Sequence, residues 1–214
     1  MGIACNSNFP RKRGISTNSN DSSYINSSKK TNSYYENSSQ RIQANDFAKK
    51  INKKNISNGN INNSLSQLVL NNHNKIRRKY RVNNLELNDE LNELAQKYSD
   101  KCAETESFDH YPFLYKGEVI GENIKEIKDN NFDVSTICDN WNNEEDNFDF
   151  SNPIFKNDCR HFTQIIWKDT KYVGFGISTS SSGKKYFVAF YFPAGNIFDK
   201  FRENIGIPQL AKKQ

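Results

Sequence analysis

The sequence predicts an α+β fold, with helices layered on an antiparallel sheet, behind a disordered tail. Three observations lead there. The composition breaks near residue 62: residues 1–64 hold 14 Asn and 12 Ser, with 10 Lys and Arg against 3 Asp and Glu, whereas the remainder holds 20 basic against 22 acidic residues. After the break come stretches whose apolar residues recur at helical spacing. The chain then closes on two stretches that alternate β-branched or aromatic residues around a glycine-bearing turn. Helices followed by a hairpin, rather than alternating strand and helix, give α+β.

The tail spans residues 1–62. So polar a stretch cannot bury enough apolar area to offset its ordering entropy. A Lys/Asn-rich helix near "ANDFAKKINKK" is the alternative, and it would be marginal in isolation. Residues 63–214 form one domain, about 150 residues, large enough for a core. Its first helix is "SLSQLVLNNHNKIRRKY", with Leu65, Leu68, Val69, Ile76 and Tyr80 on its apolar side. "VNNLELN" is a polar, extended break. The second helix, "NDELNELAQKYSDKCAE", has Asn88 as N-cap and Asp89 and Glu90 in its favourable first turn. Leu91, Leu94, Ala95, Tyr98 and Cys102 form its stripe. A loop-rich stretch follows, in which Gly121 suggests a tight turn. "FDVSTICDNWNNEEDNF" supports a third helix, with Val134, Ile137, Cys138 and Trp141 on one side. "KYVGFGIS" and "KKYFVAFYFP" around "TSSSG" make the hairpin.

No apolar run approaches the roughly 20 residues of a transmembrane helix, and no secretory signal is visible. Of the cysteines Cys5, Cys102, Cys138 and Cys159, one lies in the tail and the other three cannot all pair among themselves. Reduced thiols in the cytosol are the expectation. "MGIACNS" places Gly2 where N-myristoylation requires it, although Asn6 stands where Ser or Thr is usual. Cys5 is a candidate for palmitoylation, and Arg11–Arg13 form a short basic cluster. One acyl chain binds a membrane marginally, and a second chain or basic residues make the binding durable. The bland alternative is an ordinary flexible N-terminus. The tail lacks interleaved stacking aromatics, so no nucleic-acid partner is expected.

Four polar residues draw attention. These are His110 in "SFDHYPF", Glu122 in "GEN", Glu144 three residues after Trp141, and His161 in "RHFTQIIWKDT". Two imidazoles and two carboxylates are ligand types for a borderline divalent ion such as zinc. Taken singly, each is more often a surface or capping residue.

"RHFTQIIWKDT" and "FVAFYFPAGNIF" resemble the two signatures of the CAP superfamily (cysteine-rich secretory proteins, antigen 5 and pathogenesis-related-1 proteins). "HNKIRRKYRVNNLELNDELNELAQKYS" is similar to its first helix, linker and second helix, and the cover runs from about Leu65 to Pro208. The close of the domain is most similar to the intracellular, Golgi-associated branch. The resemblance implies a three-layer α-β-α sandwich with a cleft. It gives the cleft's two His and two Glu as His110, Glu122, Glu144 and His161, with zinc as a cofactor they could hold. Glu145 is a neighbour that Trp-x-x-Glu spacing disfavours, and His73 matches a helix position outside the cleft set. The second signature normally has Cys at Ala189 and a polar residue at Phe190. Losing a cysteine that secreted members pair agrees with a reducing compartment. Cys159 is unassigned: a soft ligand, a redox-sensitive thiol or a buried small hydrophobe.

The implied function is a binding module at the cytoplasmic face of a Golgi, endomembrane or plasma membrane. Its expected partners are anionic lipid, sterol or a protein, with a homodimer implied by relatives. The alternatives are a zinc-dependent hydrolase, with Glu122 or Glu144 as base, and an interaction module for defence, signalling or aggregation control, extracellular by unconventional export, in which the His and Glu residues bond one another as a structural polar core.

Overall fold

The computed structural model describes residues 59–208, apart from 111, 129–132 and 134. The expected tail up to residue 58, with Gly2 and Cys5, and Val134 of the third helix lie outside the described residues; residues 59–62, expected in the tail, begin α1. The chain runs α1 (Gly59–Lys79), β1 (Glu86–Leu87), α2 (Asp89–Thr105), β2 (Leu114–Tyr115), β3 (Glu118–Val119), β4 (Gly121–Ile127), α3 (Ser135–Asn143), α4 (Arg160–Ile165), β5 (Tyr172–Thr179), β6 (Lys185–Phe192) and α5 (Phe201–Asn204). Short 3-10 turns cover Glu144–Asn147, Asn157–Cys159 and Phe198–Lys200. A four-stranded sheet has the order β1-β5-β6-β4, and β2 pairs with β3 as a separate small ribbon.

The sheet's centre explains the layers. On β6, Tyr186, Val188 and Phe190 join the core formed with Leu91, Ala95 and Tyr98 of α2. The alternate residues Phe187, Ala189 and Tyr191 join Val69 and Ile76 of α1, Ile137 and Trp141 of α3, and Phe162 and Ile165 of α4. A strand shows opposite faces at successive residues, so a strand apolar on both faces must be covered on both. The result is the α-β-α sandwich. Ala189 and Phe190, the two departures from the signature, are both fully buried and face opposite cores.

α2 lies very close to β5. A Cβ on Gly174 would stand 2.1 Å from the Leu91 carbonyl carbon, and one on Gly176 2.3 Å from the Gln96 nitrogen. β1 pairs with β5 only at Tyr172 and Val173. Beyond that point α2 side chains serve the strand's open edge. Asn92 Oδ1 accepts from the Phe175 N–H at 2.9 Å, and Gln96 accepts from the Ile177 N–H and donates to its carbonyl. Asn88 caps α2 as expected, its Oδ1 accepting from the Leu91 N–H at 3.0 Å.

Three local expectations are corrected. α1 begins at Gly59, before the predicted Ser64. Its first turn carries no apolar stripe, but a helix nucleated downstream extends through polar residues readily. Gly121 is not a turn. It opens β4, an edge strand of the main sheet, and is glycine because a Cβ there would meet Gln164 Oε1 at 2.1 Å. The third helix ends at Asn143 and tightens into a 3-10 turn at Glu144. The short α4 inside "RHFTQIIW" was not predicted. Six residues are too few for a helical period to register, and Phe162, Ile165, Ile166 and Trp167 are all fully buried.

Candidate functional site

His110, Glu122, Glu144 and His161 come from four places: the loop after α2, β4, the turn after α3, and the first turn of α4. The fold brings them together as two imidazole–carboxylate pairs. His110 Nδ1 bonds Glu122 Oε1, and His161 Nδ1 bonds Glu144 Oε1 at 2.6 Å.

The His161 pair is the more strongly built. Glu144 Oε2 also accepts from the backbone N–H groups of His161, at 3.0 Å, and Phe162, at 3.2 Å. One carboxylate therefore caps the start of α4, where helical N–H groups lack partners, and fixes the imidazole of the same turn. Trp141 stacks on the His161 ring with centroids 5.6 Å apart and planes 19° from parallel. The neighbouring Glu145 pairs with Lys79 instead, at 2.5 Å. At the other end of α4 the fully buried Arg77 donates to the carbonyls of Ile165, Trp167 and Thr170 at 2.7, 2.8 and 3.0 Å. Its Nε donates to Asn83 at 2.6 Å.

The second pair is asymmetric in burial. The His110 side chain is 47% exposed, whereas that of Glu122 is 9% exposed. Burial pushes the Glu122 carboxyl above the usual carboxylate range, against the opposing pull of His110 and Arg160.

Each histidine engages its carboxylate through Nδ1, which directs Nε2 away from that partner. Outer carboxylates orient metal-binding imidazoles in the same way. His161 Nε2 and Glu122 Oε2 are buried polar atoms without a hydrogen-bond partner. A borderline divalent cation fits this donor set in kind: two imidazoles and a carboxylate oxygen. Among the described residues, no three His, Cys, Asp or Glu already stand at coordinating distances. Binding would require the side chains to draw in.

Cys102, Cys138 and Cys159 are free and buried. Burial pushes their thiols up to about 11, about 12 and about 11, which is the environment of inert rather than reactive cysteine. Cys159 Sγ lies 3.6 Å from the Lys156 carbonyl.

Sequence reading missed Asn123. It is fully buried, and its Nδ2 donates to the His161 carbonyl at 3.1 Å. The signal was a polar residue at an inward position of a strand, visible only once "GEN" is read as strand rather than turn.

Known proteins share this α-β-α sandwich. The model of the cysteine-rich secretory protein family, CAP, matches residues 70–192, and the chain belongs to this family. It is 37% identical over 119 residues to Golgi-associated plant pathogenesis-related protein 1 of Homo sapiens, covering 54% of this chain and 75% of that protein. It is 33% identical over 93 residues to Protein PRY2 of Saccharomyces cerevisiae, covering 43% of this chain and only 27% of that one. Among solved structures it is similar to Schistosoma mansoni venom allergen-like protein 4, with TM-score 0.53, 20% identity, and 70% of this chain and 96% of that one covered. It is also similar to NaASP2 with Zn2+, with TM-score 0.50, 21% identity, and 66% and 82% covered. At such identities the likeness speaks for the fold.

Proposed function

We propose that this CAP protein is a binding module that works at a membrane surface and takes lipid, sterol or a protein partner through its domain. One observation carries the reading: both site imidazoles are engaged by carboxylates, and the described thiols are buried with raised pKa. A carboxylate-held imidazole can orient a ligand, and none of the described thiols is the activated, accessible nucleophile that nucleophilic catalysis needs. The Nε2 atoms of His110 and His161 and Glu122 Oε2 would hold a divalent cation such as zinc. A solved structure of similar fold was determined with Zn2+.

The membrane part rests on the tail and on kinship. Gly2, Cys5 and Arg11–Arg13 supply two acylation candidates and a basic cluster within thirteen residues. The human relative that is 37% identical is named for its Golgi association. Among the described residues no helix is long and apolar enough to cross a membrane, so attachment through the tail would serve where no span does.

The test is intact-mass spectrometry of the full chain from its own cells, with membrane and soluble fractions separated. A mass increase matching myristate, or myristate with palmitate, in the membrane fraction is expected. An unmodified, wholly soluble protein would end the anchoring reading. Zinc is tested by melting: binding to the folded state must raise Tm with zinc concentration, and a Tm indifferent to zinc rules it out.

A further inference from the structure

We propose that two buried tyrosines, Tyr98 and Tyr191, are positioning residues, each serving one site histidine through backbone rather than through its ring. This deepens the reading of the His/Glu set as a preorganised site and rests on it.

Tyr191, fully buried on β6, is the middle of a hydrogen-bonded chain. Its hydroxyl lies 2.8 Å from His73 Nε2 and 3.2 Å from Asn123 Nδ2. His73 Nδ1 stands 2.9 Å from the Val69 carbonyl. A carbonyl only accepts, so His73 carries its proton on Nδ1 and accepts at Nε2. Tyr191 must then donate to His73 and accept from Asn123. Asn123 Nδ2 has a second hydrogen, and that is the one given to the His161 carbonyl. The tyrosine hydroxyl thus fixes the rotation of the Asn123 amide, and the amide fixes the first turn of α4. Each of the three side chains is fully buried, so no water competes for these bonds. Trp141 contacts the same parts, with its ring nearly perpendicular to that of His73 at 6.2 Å and stacked on that of His161.

Tyr98, 1% exposed on α2, does the corresponding work for His110. Its hydroxyl donates to the Asp109 carbonyl and accepts from the Asp109 N–H at 3.2 Å. Both backbone polar groups of the residue before His110 are therefore held by one side chain. The Tyr98 ring is itself wedged against Phe113, at 4.6 Å, and Phe190, at 6.0 Å. A loop residue that is otherwise largely exposed is in this way tethered to the sandwich core.

A general structural role and a positioning role predict different patterns. Tyr98→Phe and Tyr191→Phe each keep the packed ring and delete only the hydroxyl. In full-length protein with histidine ring carbons labelled for NMR, Tyr98→Phe is expected to shift or broaden the His110 ring signal and leave His161 unchanged. Tyr191→Phe is expected to do the reverse, with His73 responding because it touches the hydroxyl. Asn123→Ser and Tyr98→Met replace a Phe variant that does not fold. Zinc titration of the same proteins reads the consequence: each variant binds about tenfold more weakly, as loss of outer support for a ligand does. Both site rings moving alike in both variants, or neither moving, overturns the positioning roles. If wild type binds no zinc while the crossed NMR pattern holds, the cation reading fails and the positioning stands.

Discussion

Arg77 is a guanidinium in the core with carbonyls in place of a counter-ion. Replacing it with methionine keeps most of the volume and removes the donors. Four carbonyls, those of Asn83, Ile165, Trp167 and Thr170, then lose their charged partner at 2.6 to 3.0 Å. A buried acceptor left unsatisfied costs about 1–3 kcal/mol. The Asn83 carbonyl lies at an exposed residue and can turn to water; the other three are buried. Taking the low end for these three, because carbonyls have a second lone pair and loops relax, the loss is about 3 kcal/mol. The removed cation no longer needs desolvating, which returns part of this, as its pKa lowered by burial to about 10 attests. The net expectation is about 2 kcal/mol. For a domain of this size that corresponds to roughly 4–8 °C in Tm. Arg77→Lys should recover less than half, because one ammonium cannot reach carbonyls arrayed around a planar fork. Urea denaturation with far-UV detection measures both variants. A loss below about 1 kcal/mol for Arg77→Met would refute the view that these bonds lock the end of α4.

Other predictions follow from the same packing. Burial, aided by Arg77 and opposed by the bond to Val69, lowers the pKa of His73 from 6.5 to about 4. The unfolded chain therefore binds a proton between these values that the folded chain refuses. The stability is full above pH 6.5 and falls as pH drops toward 4, by about 3 kcal/mol. His73→Gln should flatten that part of the pH profile measured by urea denaturation, and parallel profiles would refute it. Gly176→Ala puts a methyl 2.3–2.4 Å from the backbone of Ala95 and Gln96, and should cost about 2–3 kcal/mol as α2 is lifted from β5. Gly183→Ala, in an open turn at φ +86°, should cost only about 1 kcal/mol of backbone strain. Equal melting temperatures for these two variants would contradict the close approach. In a Cys5→Ser protein, Cys102, Cys138 and Cys159 should stay unreactive toward a disulfide reagent at pH 8 until denaturant is added. A fast native thiol would show that one of them is accessible.

The parts of the fold legible in the sequence are those with long periods. α2 carried a cap, a charged first turn and a five-residue stripe, and the β5–β6 hairpin carried alternation and a glycine turn. The parts that were not legible are short or set by distant partners. β4 reads as turn because Gly121 is demanded by Gln164, more than forty residues on, and no local rule reports that. α4 is one and a half turns held by Glu144 at one end and Arg77 at the other. The site itself is spread over fifty residues in four elements. Composition and spacing could offer its four members only as candidates, and the family resemblance, rather than any periodicity, grouped them.

That dispersal has a functional consequence. His161 is 14% exposed and is held by its carboxylate, a stacked tryptophan and the Asn123 bond to its carbonyl. His110 is 47% exposed, and its ring meets Glu122 and packs T-shaped with Phe108. A ligand that engages both rings meets one imidazole already ordered and one that it must order further. For such a ligand the freedom left to His110 would subtract from affinity, because ordering a side chain costs binding free energy. Changes in the loop before His110 should then tune affinity in either direction. Changes around His161 should mainly weaken it, because that ring is already held by its carboxylate and by Trp141.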